Sequence, residues 1–482
     1  MGTLAQYVKN NRLHFVISFI IICFLLFFST WQLSASPATW FDEGINLSIA
    51  KSFVQHGIFS LETAPGQFVN QRPFLITTNY PVIAPAALFI KIFGAHLWSG
   101  RLAQVLFLWI FCLVSFLLVK KIYSPVAALA SLALVVTFAP FYGNGKVLLG
   151  EVPGLVFFIT GVFLMHGPYA LKKFLVAGLM FGLALASKPF FLIIAPAVLA
   201  GELFQRRVAA AEFWKRTVTL GVGVLPPLVV WAKTILVPFS ISTLLNTARF
   251  YSNSYAASGF SDVVATNFFR FFHEVTPIHF AILEVIVIIG FSQRLKQKNL
   301  TEVEVIIAAF VLLNVTWYLK TPGWYRYFFP SHLLIFLFFP AILLRLTRRH
   351  IAGFCIGLLV TIQLGYLITK GKDTVYYSPD AVNFTQKVLS QTKPEDSVFI
   401  LNTPSIAFLL QDRMVFQMLQ INPVLFFGKN SLRDDLGNWY PYVVISGSVA
   451  NTAISHVDDL LRDNYEIISN VGKYLLYKKN PF

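Results

Sequence analysis

Carboxylates are scarce in most of this chain, so each can be weighed singly. Residues 1–372 hold 11 Asp and Glu against 29 Lys and Arg. Asp42 and Glu43 follow an apolar run and open an amphipathic stretch, residues 45–53. An acidic pair at a helix start gains about 0.3–1 kcal/mol from the helix dipole, and an acid in a cleft can take a proton from a hydroxyl. Placement alone weighs these two readings evenly. Glu151 tips the balance. It follows a small, glycine-rich link, 141–150, that contains Lys146, and it leads straight into another apolar run. A charge at that depth is costly without a partner or a wet cavity. Lys188 stands in Ala186-Ser187-Lys188-Pro189 between two apolar runs, and Arg326 in Tyr325-Arg326-Tyr327 at the start of a third. A lysine can snorkel to the interface and an arginine can join an aromatic belt. A compact ammonium and a guanidinium there can equally hold a phosphate. Arg72, Lys91 and Arg101 are further cations that read first as structural. Glu284 lies inside an apolar run with no partner nearby in sequence. Acids that accept a proton, beside cations that hold a departing lipid phosphate, describe an enzyme acting on a phospholipid-like donor. They name no sugar.

The elements that must position these groups are membrane helices. Of the 482 residues, 56% are hydrophobic and 12% are charged. A soluble domain carries roughly 25% charged residues. The 49 Phe suit a lipid-facing surface better than a close-packed core. Eleven apolar runs fall near 14–33, 102–119, 126–142, 152–165, 174–186, 190–204, 218–237, 277–291, 303–319, 328–344 and 351–369. The first, at about twenty residues, is longer than a signal-peptide core of about 7–15 and reads as an uncleaved span. Basic clusters occupy every second connection: Lys9 and Arg12, Lys120-Lys121, Lys172-Lys173, Arg206-Arg207 with Lys215-Arg216, Arg294 with Lys296 and Lys298, and Arg345 with Arg348-Arg349. That is the positive-inside pattern for eleven spans with a cytoplasmic N-terminus. Asp42, Glu151, Lys188 and Arg326 then all lie on the outer side.

Three outward segments exceed simple turns: 34–101, 238–276, and everything after Lys370. The last, 373–482, carries 9 basic and 11 acidic residues and reads as an extracytoplasmic α/β domain. Strands are expected at 397–401, 442–446 and 474–478, and helices at 380–390 and 452–463. The basicity of the chain, net +16, therefore belongs to the membrane part, where it sets orientation and could also hold anionic lipid. The three cysteines are scattered through apolar runs, which argues against a disulfide framework or a thiolate metal site. No basic stripe with a recognition motif points to nucleic acid. No inverted pair of broken helices suggests a secondary transporter.

These residues resemble the lipid-linked-sugar glycosyltransferases of the GT-C fold, and among them the bacterial relatives of protein O-mannosyltransferases and the aminoarabinose transferase. Trp40-Phe41-Asp42-Glu43-Gly44 through His56-Gly57 is similar to their acidic first-loop motif. Tyr80-Pro81, residues 88–94 and Gly100-Arg101-Leu102 resemble the second stretch of that branch. Glu151-Val152-Pro153 fits its second acidic position, Ser187-Lys188-Pro189 its Thr-Lys motif, and Arg326-Tyr327 with Pro330 its late Arg-Tyr…Pro motif. Order and spacing carry the resemblance, best over the first two hundred residues.

The resemblance implies an all-α polytopic domain over 1–372 with a C-terminal α/β domain over 373–482. It implies inverting transfer of a sugar from polyprenyl phosphate to a lipid, glycan or protein acceptor, on the outer face of the cytoplasmic membrane. Asp42 would be the general base. Glu43 and Glu151 would shape the acceptor or metal site. Lys188, Arg326 and Tyr327 would hold the donor phosphate, with Arg72, Tyr80, Arg101 and Lys146 near the cleft. Lys146 departs from the family, where an arginine closer to the acid is common. A divalent cation at Asp42, Glu43 and Glu151 is compatible with oxygen ligands, although no metal motif demands one. Two rivals remain open. An O-antigen-type polymerase would use arginines of the second long loop, such as Arg249 and Arg270. A flippase for lipid-linked saccharides would need polar residues through its spans, which are nearly uncharged apart from Glu284.

Overall fold

The computed structural model describes residues 12–69, 74–204, 210–235, 245, 260–371, 373, 376–410, 413–422, 425–428, 431–434, 436–446 and 457–481. Arg72, Lys9, Arg206, Arg207, Arg249 and most of the second outward segment lie outside these residues, as do 452–456 of the last expected helix. In hydrocarbon the backbone must satisfy its own hydrogen bonds, so apolar runs become helices. The first run forms α1 (Arg12–Thr30), and the acidic stretch after it forms α2 (Phe41–His56). Asp42 and Glu43 occupy the first turn of α2, and Gly57 ends it in the left-handed region at φ 69°. The hairpin β1 (Glu62–Ala64) and β2 (Gln67–Phe68), then the short α3 (Phe74–Thr77), lead to α4 (Tyr80–Phe93) and the long α5 (Leu97–Ile122).

The next run is broken into α6 (Pro125–Thr137) and α7 (Ala139–Gly145), bent by 65°. Pro140 lacks the N–H that would meet the Val136 carbonyl. The Tyr142 hydroxyl donates to that carbonyl instead, at 2.8 Å. There follow α8 (Glu151–Met165), α9 (Leu171–Ser187), a 3₁₀ turn (Pro189–Ile193) running into α10 (Ile194–Phe204), α11 (Ala210–Ile235), α12 (Phe260–His273), α13 (Val275–Lys296), α14 (Glu302–Leu319), α15 (Tyr325–Leu346) and α16 (Arg349–Lys370). Each of the eleven apolar runs is thus helical. Six helices, α5, α11 and α13 to α16, are long and apolar enough to cross a bilayer among the described residues, and seven if the bent pair is one span. The 15 residues of α8 and the 17 of α9 fall short of that length, so helix length alone does not establish eleven spans.

Helix α15 is the pillar of the bundle. Its apolar window is 94% buried, against 22% for α11 and α16. The phenylalanines divide between the two roles: Phe15, Phe19, Phe27 and Phe354 are exposed on the helix surfaces, as expected for lipid-facing positions, while others build the core. Phe111, Phe141, Phe158, Phe174, Phe191, Phe280, Phe310 and Phe328 are all fully buried. Their rings interlock across helices, as in Phe158 on Phe310 at 4.5 Å and Phe280 on Phe328 at 4.2 Å.

The basic connections gather at one end of the bundle. Lys121 and Lys173 both donate to the His166 carbonyl. Lys215 lies over the Tyr169 ring. Arg216 binds Glu202 and Glu302, while Arg294 binds Glu304. Glu304 also accepts from Tyr123.

The C-terminal α/β domain begins with α17 (Asp380–Gln391), followed by β3 (Ser397–Leu401), α18 (Pro404–Leu409), β4 (Met414–Asn422), β5 (Leu425–Gly428), β6 (Tyr442–Ser446), α19 (Val457–Asn464), β7 (Tyr465–Val471) and β8 (Tyr474–Lys479). The six strands run β5-β4-β3-β6-β8-β7. β3 is parallel to both β4 and β6, and the remaining pairs are antiparallel. Alternate residues of β3 point to opposite faces. Val398 and Ile400 pack with α17, while Phe399 and Leu401 pack with α19. The domain docks on α2. A Cβ on Gly44 would stand 2.3 Å from the Ser405 amide nitrogen, so α2 and α18 touch backbone to backbone there. Phe408 and Leu419 join the apolar cluster of α2 and α4.

Candidate active site

Two elements ending in charge are brought together by a glycine. A Cβ on Gly150 would lie 2.3 Å from the Ser187 carbonyl oxygen, so the start of α8 meets the end of α9 in backbone contact. Pro189 disfavours a helical conformation at Lys188, which sits extended at φ −161°, ψ 131°. The ammonium consequently lies directly against Glu151, and both side chains are buried. The second carboxylate oxygen of Glu151, Oε2, has no hydrogen-bond partner among the described residues.

Helix α15 supplies the second cation. Arg326 Nη1 donates to Asp42 Oδ2 at 2.6 Å. The Asp42 side chain is 45% exposed and that of Arg326 is 7% exposed, so the pair has an open side and a closed side. The guanidinium is packed by the rings of Trp324 at 4.6 Å, Tyr327 at 5.1 Å and Trp40 at 5.4 Å. Its buried Nε–H finds no acceptor among the described residues. The Tyr327 ring also carries Lys188 Nζ at 5.6 Å. Lys188 interacts electrostatically with Arg326 and Asp42 as well as with Glu151. Asp42, Glu151, Lys188, Arg326 and Tyr327 therefore form one cluster, drawn from α2, α8, the α9 end and α15.

Glu43 stands apart from this group. Arg101 grips it with two bonds, Nε to Oε1 at 2.7 Å and Nη2 to Oε2 at 2.6 Å, and neither side chain has any exposure. Arg101 Nη1 also donates to the Leu33 and Pro37 carbonyls, each at 2.8 Å. Glu43 Oε1 accepts from the Leu148 amide at 3.3 Å, and Asn46 donates to the Leu148 carbonyl at 2.7 Å. This network sews α2 to the link that leads to Glu151. Lys146 is spent in the same way, donating to the Phe28 and Trp31 carbonyls and to Ser36 Oγ. Burial, with Arg101 nearby, also pushes its ammonium down to about 7, which makes it a poor phosphate ligand. Tyr80 faces α11, where its hydroxyl donates to the Pro227 carbonyl at 3.4 Å. Arg270 donates to the Gly323 carbonyl at 2.9 Å and steadies the connection ahead of Arg326.

Sequence reasoning missed three features of the site. Trp40 and Trp324 flank Arg326, and their positions beside Asp42 and two residues before Arg326 were the available signal. The Glu43–Arg101 pairing spans 58 residues and left no local sign. No group of three metal-ligating side chains is gathered among the described residues. Asp42, Glu43 and Glu151 each face a cation instead. This donor set does not fit a bound divalent ion as it stands.

The fold and this cluster can be set beside known proteins. The structure of ArnT from Cupriavidus metallidurans in the apo state aligns with a TM-score of 0.65 at 12% identity, covering 96% of this chain and 99% of that one. The same enzyme bound to undecaprenyl phosphate aligns at 0.65 and 10% identity, covering 98% and 100%. The chain has the GT-C fold. The archaeal GT-C oligosaccharyltransferase AglB from Archaeoglobus fulgidus, in complex with an inhibitory peptide and a dolichol-phosphate, aligns at 0.52 and 12% identity, covering 92% and 70%. The family of dolichyl-phosphate-mannose-protein mannosyltransferases matches residues 81–231, a stretch that includes Glu151 and Lys188. No curated protein sequence matches the chain. The GT-C resemblance read from the motifs is thereby upheld, and the chain is a multi-pass membrane protein.

Proposed function

We propose that this protein is an inverting glycosyltransferase that moves a sugar from polyprenyl phosphate to an acceptor hydroxyl on the outer face of the cytoplasmic membrane. The observation that carries this reading is the pairing of Lys188 and Arg326 with acids they can release. Among the described residues a buried Arg326 Nε–H lacks an acceptor, and Glu151 Oε2 lacks a donor, in the same cluster. A phosphate entering between the two cations would satisfy the guanidinium and compete with Asp42 for Nη1. Asp42, the exposed carboxylate of the three, is then left to accept a proton. The acceptor oxygen attacks the anomeric carbon as the bond from that carbon to the phosphate oxygen breaks. The hydroxyl proton passes to Asp42. The polyprenyl phosphate leaves with one more negative charge, which Lys188 and Arg326 offset. Glu151 Oε2 is suited to accept from a sugar or acceptor hydroxyl. Glu43, Arg101 and Lys146 act as supports that hold α2 and the Glu151 link in register. ArnT, whose fold this chain shares end to end, has been captured with undecaprenyl phosphate.

In this reading residues 1–372 are the transferase domain with eleven spans, and 373–482 lie outside. The basic helix ends gathered at one pole support a cytoplasmic placement of that pole. The test separates binding from chemistry. Purified protein is titrated with undecaprenyl phosphate, and transfer is followed in vesicles carrying a polyprenyl-phosphate sugar and envelope glycolipid. Asp42→Asn is expected to keep lipid phosphate binding and lose about 10²–10⁴-fold in transfer. Arg326→Gln is expected to lose binding. Full transfer by Asp42→Asn would remove the base assignment.

A further inference from the structure

A second cationic site lies at the opposite pole. Helix α15 begins at Tyr325, beside Arg326, and ends at Leu346. Arg345 lies 19 positions after Arg326, a rise of about 28 Å at 1.5 Å per residue, close to the thickness of a hydrocarbon core of about 30 Å. At that far end α13 and α15 enclose a cavity of about 460 Å³. The helices touch deeper in the bundle, where a Cβ on Gly290 would lie 2.2 Å from the Ile342 side chain. Beyond this contact the cavity is lined by charge and amides: Arg294 with Gln293 and Gln297 on one side, Arg345 on the other.

The lining groups are not fully used by the protein. Arg294 is 9% exposed and binds Glu304 and the Asn299 carbonyl through Nη2, but its buried Nε–H has no acceptor among the described residues. Arg345 rests on the Tyr123 ring at 5.0 Å and has no ion pair among the described residues. Glu302 and Glu304, in the first turn of α14, are already held by Arg216 and Arg294. An anion therefore meets two guanidiniums with donor capacity to spare. The walls add an apolar requirement. Ile342 and Leu346 line the same cavity, and the outer surface of α13 exposes Ile288, Ile289 and Leu295. A ligand here needs a phosphate at one end and hydrocarbon at the other.

We infer that the cavity between α13 and α15 binds the phosphodiester headgroup of an anionic phospholipid, held by Arg294 and Arg345, in the leaflet opposite the Asp42–Lys188–Arg326 cluster. The lipid ties the ends of α13 and α15 together beside the Tyr123 ring, on which Arg294 and Arg345 both rest. Both headgroups offer the guanidiniums a phosphodiester; the preference over a zwitterionic one comes from the two arginines repelling its ammonium.

The full-length protein in detergent is the material for the test. Native mass spectrometry and thermal unfolding are recorded with dioleoyl phosphatidylglycerol, with dioleoyl phosphatidylcholine, and with inorganic phosphate alone. Wild type is expected to bind the phosphatidylglycerol about tenfold more tightly than the phosphatidylcholine and to unfold at higher temperature with it. Arg345→Gln, an exposed position, removes that preference. Arg349→Gln removes the same charge from the exposed start of α16 and keeps it. Equal losses in the two variants would reduce the effect to diffuse surface charge and overturn the site. Equal binding of the two lipids would overturn it too. Stabilisation by inorganic phosphate alone, with no gain from the acyl chains, would overturn the lipid assignment.

Discussion

At the scale of single residues, neighbours in sequence have opposite roles. Asp42 is open and meets one cation at 2.6 Å, whereas Glu43 is sealed under Arg101. Removing one partner of a buried ion pair costs about 3–5 kcal/mol because the other charge is left uncompensated. Glu43→Gln is therefore expected to lower the thermal midpoint and the amount of folded protein in membranes. Asp42→Asn, at a half-exposed position, should lower both less while transfer falls. Equal unfolding curves for the two variants would contradict this division. Lys188 permits a stricter comparison, since its partner Glu151 is also buried. Lys188→Met alone should destabilise by about 3–5 kcal/mol. Combining it with Glu151→Gln should restore most of the midpoint and none of the transfer. Recovery of transfer in the double variant would mean that the pair is only structural. The candidate residues were legible because charge is rare in an apolar chain. Their division into working and supporting groups was not. Asp42 and Glu43 look alike in sequence, and Arg101 sits 58 positions from the acid it neutralises.

At the scale of elements, the site depends on where helices stop. Gly150 lets α8 begin against the end of α9, and Pro189 holds Lys188 out of the helix. Gly150→Ala pushes a methyl into the Ser187 carbonyl and is expected to cost about 1–3 kcal/mol, with weaker undecaprenyl phosphate binding as Glu151 and Lys188 separate. Gly357→Ala in α16 is the matched control. A Cβ there meets nothing within 4 Å, so the change should be neutral or add up to about 1 kcal/mol through helix propensity. Thermal unfolding of the two variants decides the point; similar midpoints would mean that the α8–α9 contact relaxes freely. The helices themselves were readable, because apolar runs in lipid have few alternatives to helix. The apolar run 126–142 reads as one continuous span in sequence, and the structure breaks it by 65° between α6 and α7. Pro140 was the available signal, and the rescue of the Val136 carbonyl by Tyr142 depends on a side chain whose direction no periodicity reveals. β4, β5 and β7 were missed for a related reason. β3, β6 and β8 carry dense apolar runs, while Met414–Asn422 mixes Gln and Asn into its strand.

At the scale of the whole molecule, the C-terminal domain braces the helix that carries Asp42. Four of its contacts show how it is fastened. The Gly44 backbone meets Ser405, and Phe408 enters the α2–α4 apolar cluster. The Ser378 amide donates to the Ala35 carbonyl at 2.8 Å, and the Thr39 and Tyr474 hydroxyls share a hydrogen bond at 3.2 Å. Among the described residues no hydrogen bond or ion pair links these groups to Asp42, Lys188 or Arg326, so their effect on the cluster runs through α2. Phe408 is 1% exposed, and Phe408→Ala is expected to cost about 3–5 kcal/mol in the docking of the domain. The transmembrane helices should remain inserted, because most of their buried residues form a separate cluster that does not contain this ring. Asp42 would then lose its fixed distance to Arg326, and transfer should fall while undecaprenyl phosphate binding through Lys188 survives. Limited proteolysis reads the docking, and a transfer assay reads the site. A variant that frees the domain to protease yet transfers at the wild-type rate would show that the domain is not needed to hold α2 in place.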